Sequence, residues 1–202
     1  MNTNTEFTGF PKLARLSRDC IISEKIDGTN AQILITEDGQ IMTGSRNRWI
    51  TPGDDNHGFA TWCSQHREEL LTLGTGRHFG EWWGSGIQRG YNLPKGEKRL
   101  SLFNADRWCL HGETPRAMPT ADPRVNKWQD VLPPCVGVVP ILYQGPFTTD
   151  ACDAALWALR TGGSKAAPGF KLPEGIVCWH IAGNLGFKKT LENDGSPKSI
   201  RL

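Results

Sequence analysis

Several familiar signatures are missing from this chain. Its six cysteines, at positions 20, 63, 109, 135, 152 and 178, are scattered singly, with no CxxC pair, and its five histidines are equally dispersed. That spacing argues against a zinc knuckle or a dithiol redox centre and points to reduced thiols in a cytoplasmic protein. No run approaches the roughly 20 apolar residues of a membrane span. The N-terminus has no basic segment followed by an apolar one, so no signal peptide is expected. Charge of one sign is not in excess either, at a formal +2. Near-neutrality neither requires nor excludes nucleic acid, because a local basic stripe can bind phosphates. There is no internal repeat and no clear domain break.

What remains is an ordinary globular composition. The 202 residues are 38% hydrophobic and 22% charged, enough for one domain (1–202) with a substantial core. Glycine (23) and proline (13) favour many turns over a helical bundle. Ala31 to Ile35, the turn 37–40, and Ile41 to Thr43 read as a hairpin. Apolar spacing predicts a helix over Phe59–Leu71, ended by Gly74-Thr75-Gly76, and a second over Asp150–Arg160 with Thr149 as its cap. Strand-like runs lie at His78–Trp83, Arg99–Asn104, Val136–Tyr143, Gly175–Ile181 and Leu185–Thr190. The polar, proline-bearing stretch His111–Pro134 reads as a surface excursion. Strands and helices without regular alternation argue for α+β.

Chemistry enters at Glu24-Lys25-Ile26-Asp27-Gly28-Thr29-Asn30. Alone, a lysine before Ile-Asp-Gly is equally a strand end entering a turn. The longer string resembles the first motif of the covalent nucleotidyltransferases, the superfamily of ATP-dependent ligases and mRNA-capping enzymes. Its Thr29-Asn30 pair resembles RNA ligases of the RNA ligase 2 type. Four further motifs follow in the family's order, and an arginine motif lies between them. Gly44-Ser45-Arg46-Asn47 is similar to the arginine motif, Phe79-Gly80-Glu81-Trp82 to the third, and Leu100-Ser101-Leu102-Phe103-Asn104 to the adenine-stacking one. Pro173-Glu174-Gly175-Ile176-Val177 is similar to the fourth and Gly186-Phe187-Lys188-Lys189-Thr190 to the fifth. Asn104 stands where the family often has aspartate, and the paired lysines replace the usual Lys-x-Lys.

The resemblance implies an α+β, ATP-grasp-like ligase adenylation domain of antiparallel sheets with flanking helices and no C-terminal OB domain. It implies ATP and Mg²⁺ (or Mn²⁺) as cofactors, and RNA or a nicked RNA/DNA duplex as substrate, acted on by a monomer. Lys25 would be the nucleophile that takes AMP. Glu24, Ile26 and Asn30 would flank the nucleotide. Arg46 would contact the nucleotide or the incoming end, Glu81 the ribose and Phe103 the adenine. Glu174 would hold the metal, and Lys188, with Lys189 as a second candidate, would bind the α-phosphate. Strand alternation favours Lys188, since adjacent residues face opposite ways. Basic residues Arg46, Arg48, Arg89, Lys95, Lys98 and Arg99 could grip nucleic acid, with Trp49, Trp82, Trp83 and Tyr91 available for stacking. The implied role is RNA repair, with a phage origin compatible with so short a chain. A small DNA or mixed-end ligase, and a ligase-derived binding module without catalysis, are the alternatives.

Overall fold

The computed structural model describes residues 7, 9, 10, 12–104 and 132–194. Its strands form two sheets. In the first, β1 (Asp19–Lys25) lies between β8 (Ile141–Pro146) and β9 (Gly175–His180), and β10 (Leu185–Thr190) pairs outside β9, all antiparallel. The second has the order β4 (Trp49–Ile50), β3 (Ile41–Gly44), β2 (Thr29–Ile35), β5 (Gly76–Gly84), β6 (Lys98–Leu102), β7 (Val136–Val138). Only β6 and β7 run parallel in it. The architecture is α+β, as expected.

Period-two patterning decides which faces are buried. In β2, Ala31, Ile33 and Ile35 point into a core shared with Trp82, Leu100 and Leu102 and with Phe59, Ala60 and Cys63 of α1 (Phe59–Gln65). In the first sheet, Cys20, Ile22, Ile176 and Cys178 pack on Ala155 and Leu159 of α3 (Thr149–Gly162). A third cluster joins Ile26, Trp83, Tyr91, Val139, Ala167 and Phe170. Trp82 and Trp83 are each only 2% exposed, and truncating such a buried indole to alanine costs about 3–5 kcal/mol.

Local structure departs from the sequence expectation in several places. The helix over Phe59–Leu71 is two helices, α1 and α2 (Arg67–Leu71), because His66 between them leaves helical backbone at φ −106° and ψ 23°. The run Val136–Tyr143 is two strands in different sheets. Pro140 separates them: it has no N–H to give to a ladder, and its carbonyl accepts from the Glu24 N–H at 2.9 Å. Val139 N–H still bonds Leu102 of the second sheet, so the chain changes sheets between these two residues. Strand β6 stops at Leu102, short of Asn104. Trp82, Trp83 and Tyr91 are core residues, with no face offered to a base. The stretch His111–Pro134 lies outside the described residues except for its last three.

The cap of α3 is Thr148, not Thr149. Thr148 has extended backbone (φ −142°, ψ 153°) and its side chain accepts from Ala151 N–H at 3.0 Å. Thr148→Ala should lower stability by about 1 kcal/mol, and Thr149→Ala should be close to neutral. Urea titration of both variants checks this; equal losses would remove Thr148 from the cap.

Candidate active site

Residues 25 to 28 carry the chain from the first sheet to the second, and they do so in a tight space. A Cβ on Gly28 would lie 2.5 Å from the Trp82 carbonyl oxygen and 2.8 Å from the Trp83 Cβ, so only glycine fits. The close pass lets Gly28 N–H donate to Glu81 Oε1 at 3.0 Å. Asp27 N–H donates to the buried Tyr91 hydroxyl at 2.7 Å, and Arg89 Nε pairs with Asp27 Oδ2 at 3.0 Å. Arg89 Nη1 also donates to the Leu172 carbonyl at 2.9 Å, tying the turn to the segment that leads into Glu174.

Lys25, at the end of β1, directs its ammonium to Glu174 Oε2 at 2.6 Å. Glu174 immediately precedes β9, where Gly175 pairs with Lys25. A Cβ on Gly175 would meet the Lys189 carbonyl oxygen at 2.2 Å, so a side chain there would push β10 away from the site. Glu24 faces the other way. Its carboxylate accepts from Ser164 Oγ at 2.6 Å, Lys165 N–H at 2.7 Å and Ala166 N–H at 3.0 Å. With those oxygens taken by the loop after α3, Glu24 anchors β1, and Ile26 beside it is core.

Register separates the two lysines of β10. Lys188 pairs with Val177, which pairs with Ser23, so Lys188 shares the Lys25 face of its sheet. Lys189 turns to the opposite face and pairs with Asp153 of α3 at 2.5 Å. In the second sheet Asn30 pairs across from Glu81, and Phe103, 43% exposed, hangs on β5 through its N–H to the Phe79 carbonyl at 2.8 Å. Arg46 is exposed in the β3–β4 loop. Lys25, Glu174 and Glu81 are thus brought together, with Lys188, Asn30 and Phe103 on the same sheet faces. The supporting groups Tyr91, Arg89 and Ser164 went unread in this role because nothing local in the sequence marks them.

Burial pushes the Glu81 carboxyl up to about 7. The Gly28 N–H and Lys25 pull it down, while Glu174 and Asp27 push it up. Three carboxylates therefore share one region, although no group of three His, Cys, Asp or Glu among the described residues is close enough to enclose a metal. Such a donor set fits an ion like Mg²⁺, which binds one or two carboxylates and takes its other oxygens from phosphate and water.

The RNA ligase family model matches residues 18–189. This chain belongs to the RNA ligase family. Solved structures show the same fold in RNA ligases of Naegleria gruberi. A lysine-to-methionine mutant with AMP and Mn has TM-score 0.55 and 21% identity over 87% of this chain and 50% of that one. A glutamate-to-alanine mutant with ATP and Mn has TM-score 0.56 and 19% identity over 88% and 51%. The chain spans about half the length of these ligases. Comparison with curated proteins gave no significant match. No helix among the described residues of this RNA ligase family member is long and apolar enough to cross a membrane.

Folding favours the protonated form of Glu81, because its folded value lies above the unfolded one. The stabilisation is full below about pH 4.5 and is lost as the pH rises through about 7. Relative to Glu81→Gln, the nucleotide-free wild type should lose about 3 kcal/mol over that window. Urea unfolding at several pH values measures the difference; a gap that stays constant with pH would contradict the burial of a titrating carboxyl here.

Proposed function

We propose that this chain is an ATP-dependent RNA ligase that carries AMP on Lys25. The observation that supports this best is the placement of the Lys25 amine at the mouth of the junction between the sheets. There it sits against Glu174, with Glu81 in the same electrostatic neighbourhood and Lys188 on the same sheet face. The structures of Naegleria gruberi ligases with ATP and Mn or with AMP and Mn support the same pair of ligands for this chain.

In the first step the Lys25 nitrogen attacks the α-phosphorus of ATP. An N–P bond forms, the bond from the α-phosphorus to the bridging oxygen breaks, and pyrophosphate leaves. Attack needs the nitrogen lone pair, so the ammonium must give up a proton to solvent and its contact with Glu174 must give way when the triphosphate enters. Glu174 is then left to hold a divalent cation, directly or through water, and that cation would neutralise charge on the triphosphate. Glu81, held by Gly28 N–H through one oxygen, keeps the other for a ribose hydroxyl. Phe103 offers an exposed ring to the adenine. Lys188 supplies positive charge for the α-phosphate oxygens, and Arg46 serves the incoming end.

The 5′-phosphate oxygen of an RNA next displaces the lysine from the α-phosphorus, breaking the N–P bond. A 3′-hydroxyl then attacks that 5′-phosphate, and AMP departs as the phosphodiester closes. The chain's part throughout is positioning and charge neutralisation. Incubation with α-labelled ATP and Mg²⁺ should leave label on the wild type after denaturation and none on Lys25→Ala. Nicked duplexes with RNA or DNA on either side of the nick then report the substrate. No label from ATP would sink the ligase reading in favour of a binding module; sealing of all-DNA nicks alone would make it a DNA ligase.

A further inference from the structure

The inner face of the six-stranded sheet is covered only in part. Toward Trp83 it is sealed by Ile26, Tyr91 and Phe170. One register row beyond Glu81 it opens. There Trp49 of β4, Gly44 of β3, Gln32 of β2 and Phe79 of β5 pair in succession, and Phe103, the residue after β6, hydrogen-bonds to Phe79. Paired residues share a face, so these positions form one row across four strands and the residue after β6, about 19 Å at the usual strand spacing. Phe79 is 51% exposed, Trp49 43% and Phe103 43%.

Exposed aromatics in a row are costly unless something covers them. Their neighbours indicate what does. The Trp49 indole lies over Gly44, where even a Cβ would be 3.2 Å from the ring. The Arg77 guanidinium sits over the indole, 5.5 Å from its centroid. Arg77 is exposed and has no carboxylate partner among the described residues, and Arg46 in the adjoining loop is likewise exposed. A protein partner with an apolar face would leave these cations desolvated. A single-stranded polynucleotide matches both features, giving bases to the rings and to the guanidinium plane and phosphates to the arginines.

We infer that the row Trp49–Gln32–Phe79, with Arg77, is a stacking track for single-stranded RNA that leads its end to the Glu81–Lys25 site. The inference rests on the ligase reading above, since continuity with that site is what makes RNA the occupant. Phe79 lies two residues from Glu81 on the same strand face, so an RNA end lying on the track arrives beside the adenylated lysine. Phe103 closes the track on the nucleotide side, and Trp49 begins it at the sheet edge.

The test uses the whole chain and a dye-labelled, 5′-phosphorylated single-stranded RNA, read by fluorescence anisotropy. Trp49→Ala and Arg77→Glu should each weaken binding about tenfold, the scale of one lost base stack. Adenylation from ATP alone should keep its wild-type rate in both, since neither residue belongs to the nucleotide site. If Trp49→Ala proves unfolded, Arg77→Glu, an exposed substitution, decides alone. Wild-type RNA affinity in Arg77→Glu, or no RNA binding by the wild type, overturns the track. A wild-type dimer that Trp49→Ala dissociates, with RNA affinity intact, would overturn it in favour of a second copy. RNA binding lost in the variants of a chain that takes no AMP would sink the adenylation reading and leave the track standing.

Discussion

The tight crossing of residues 25 to 28 between the two sheets is the constraint on which the site depends. Lys25 ends a strand of one sheet and Thr29 begins a strand of the other. The turn between them has room for no side chain at Gly28, whose backbone runs against Trp82 and Trp83. A larger residue would separate the sheets, and the Gly28 N–H would lose Glu81. Tyr91 and Arg89 hold the preceding residue, Asp27. Pro140 performs the reverse crossing and hands its carbonyl to Glu24, so both passages between the sheets meet beside the lysine.

Three glutamates around that crossing have different tasks, set by what each one touches. Glu24 is buried with its oxygens occupied by a hydroxyl and two backbone N–H groups, the arrangement that makes a buried carboxylate tolerable. Glu174 is buried beside a lysine that carries the compensating charge. Breaking such a pair by removing one partner leaves an uncompensated charge and is strongly unfavourable. In the proposed mechanism, an incoming triphosphate and its cation would have to replace that interaction. Glu81 has the least compensation, one N–H and a more distant lysine, and burial pushes it to about 7. A polar ligand relieves such a group, which accords with a ribose hydroxyl as its partner.

Much of this was legible in the sequence where local pattern carries it. The hairpin 31–43 followed from alternation and turn chemistry, and the opposite facing of Lys188 and Lys189 from strand geometry alone. The fold class followed from strands and helices mixed without regular alternation, and the family from the order of motifs. What escaped depends on contacts between residues far apart in the chain. Ser164 lies 140 residues from Glu24 and Arg89 lies 62 from Asp27, and nothing near either marks the partnership. Tyr91 and the tandem tryptophans are ambiguous as residue types, suited equally to core and to stacking, and only the packing between the sheets assigns them to core. Val136–Tyr143 reads as one apolar strand until Pro140 is seen to place its halves in separate sheets.

The central claim is that Lys25 is the residue that bears AMP, placed for it by the crossing and by Glu174. The most direct measurement is peptide mass spectrometry of the wild-type chain after incubation with ATP and Mg²⁺, locating the AMP adduct residue by residue. The account predicts a single adduct on the Lys25 side chain, joined through nitrogen and therefore released by acid and stable to base. An adduct on Lys188, Lys189 or any other residue, with Lys25 unmodified, would contradict it.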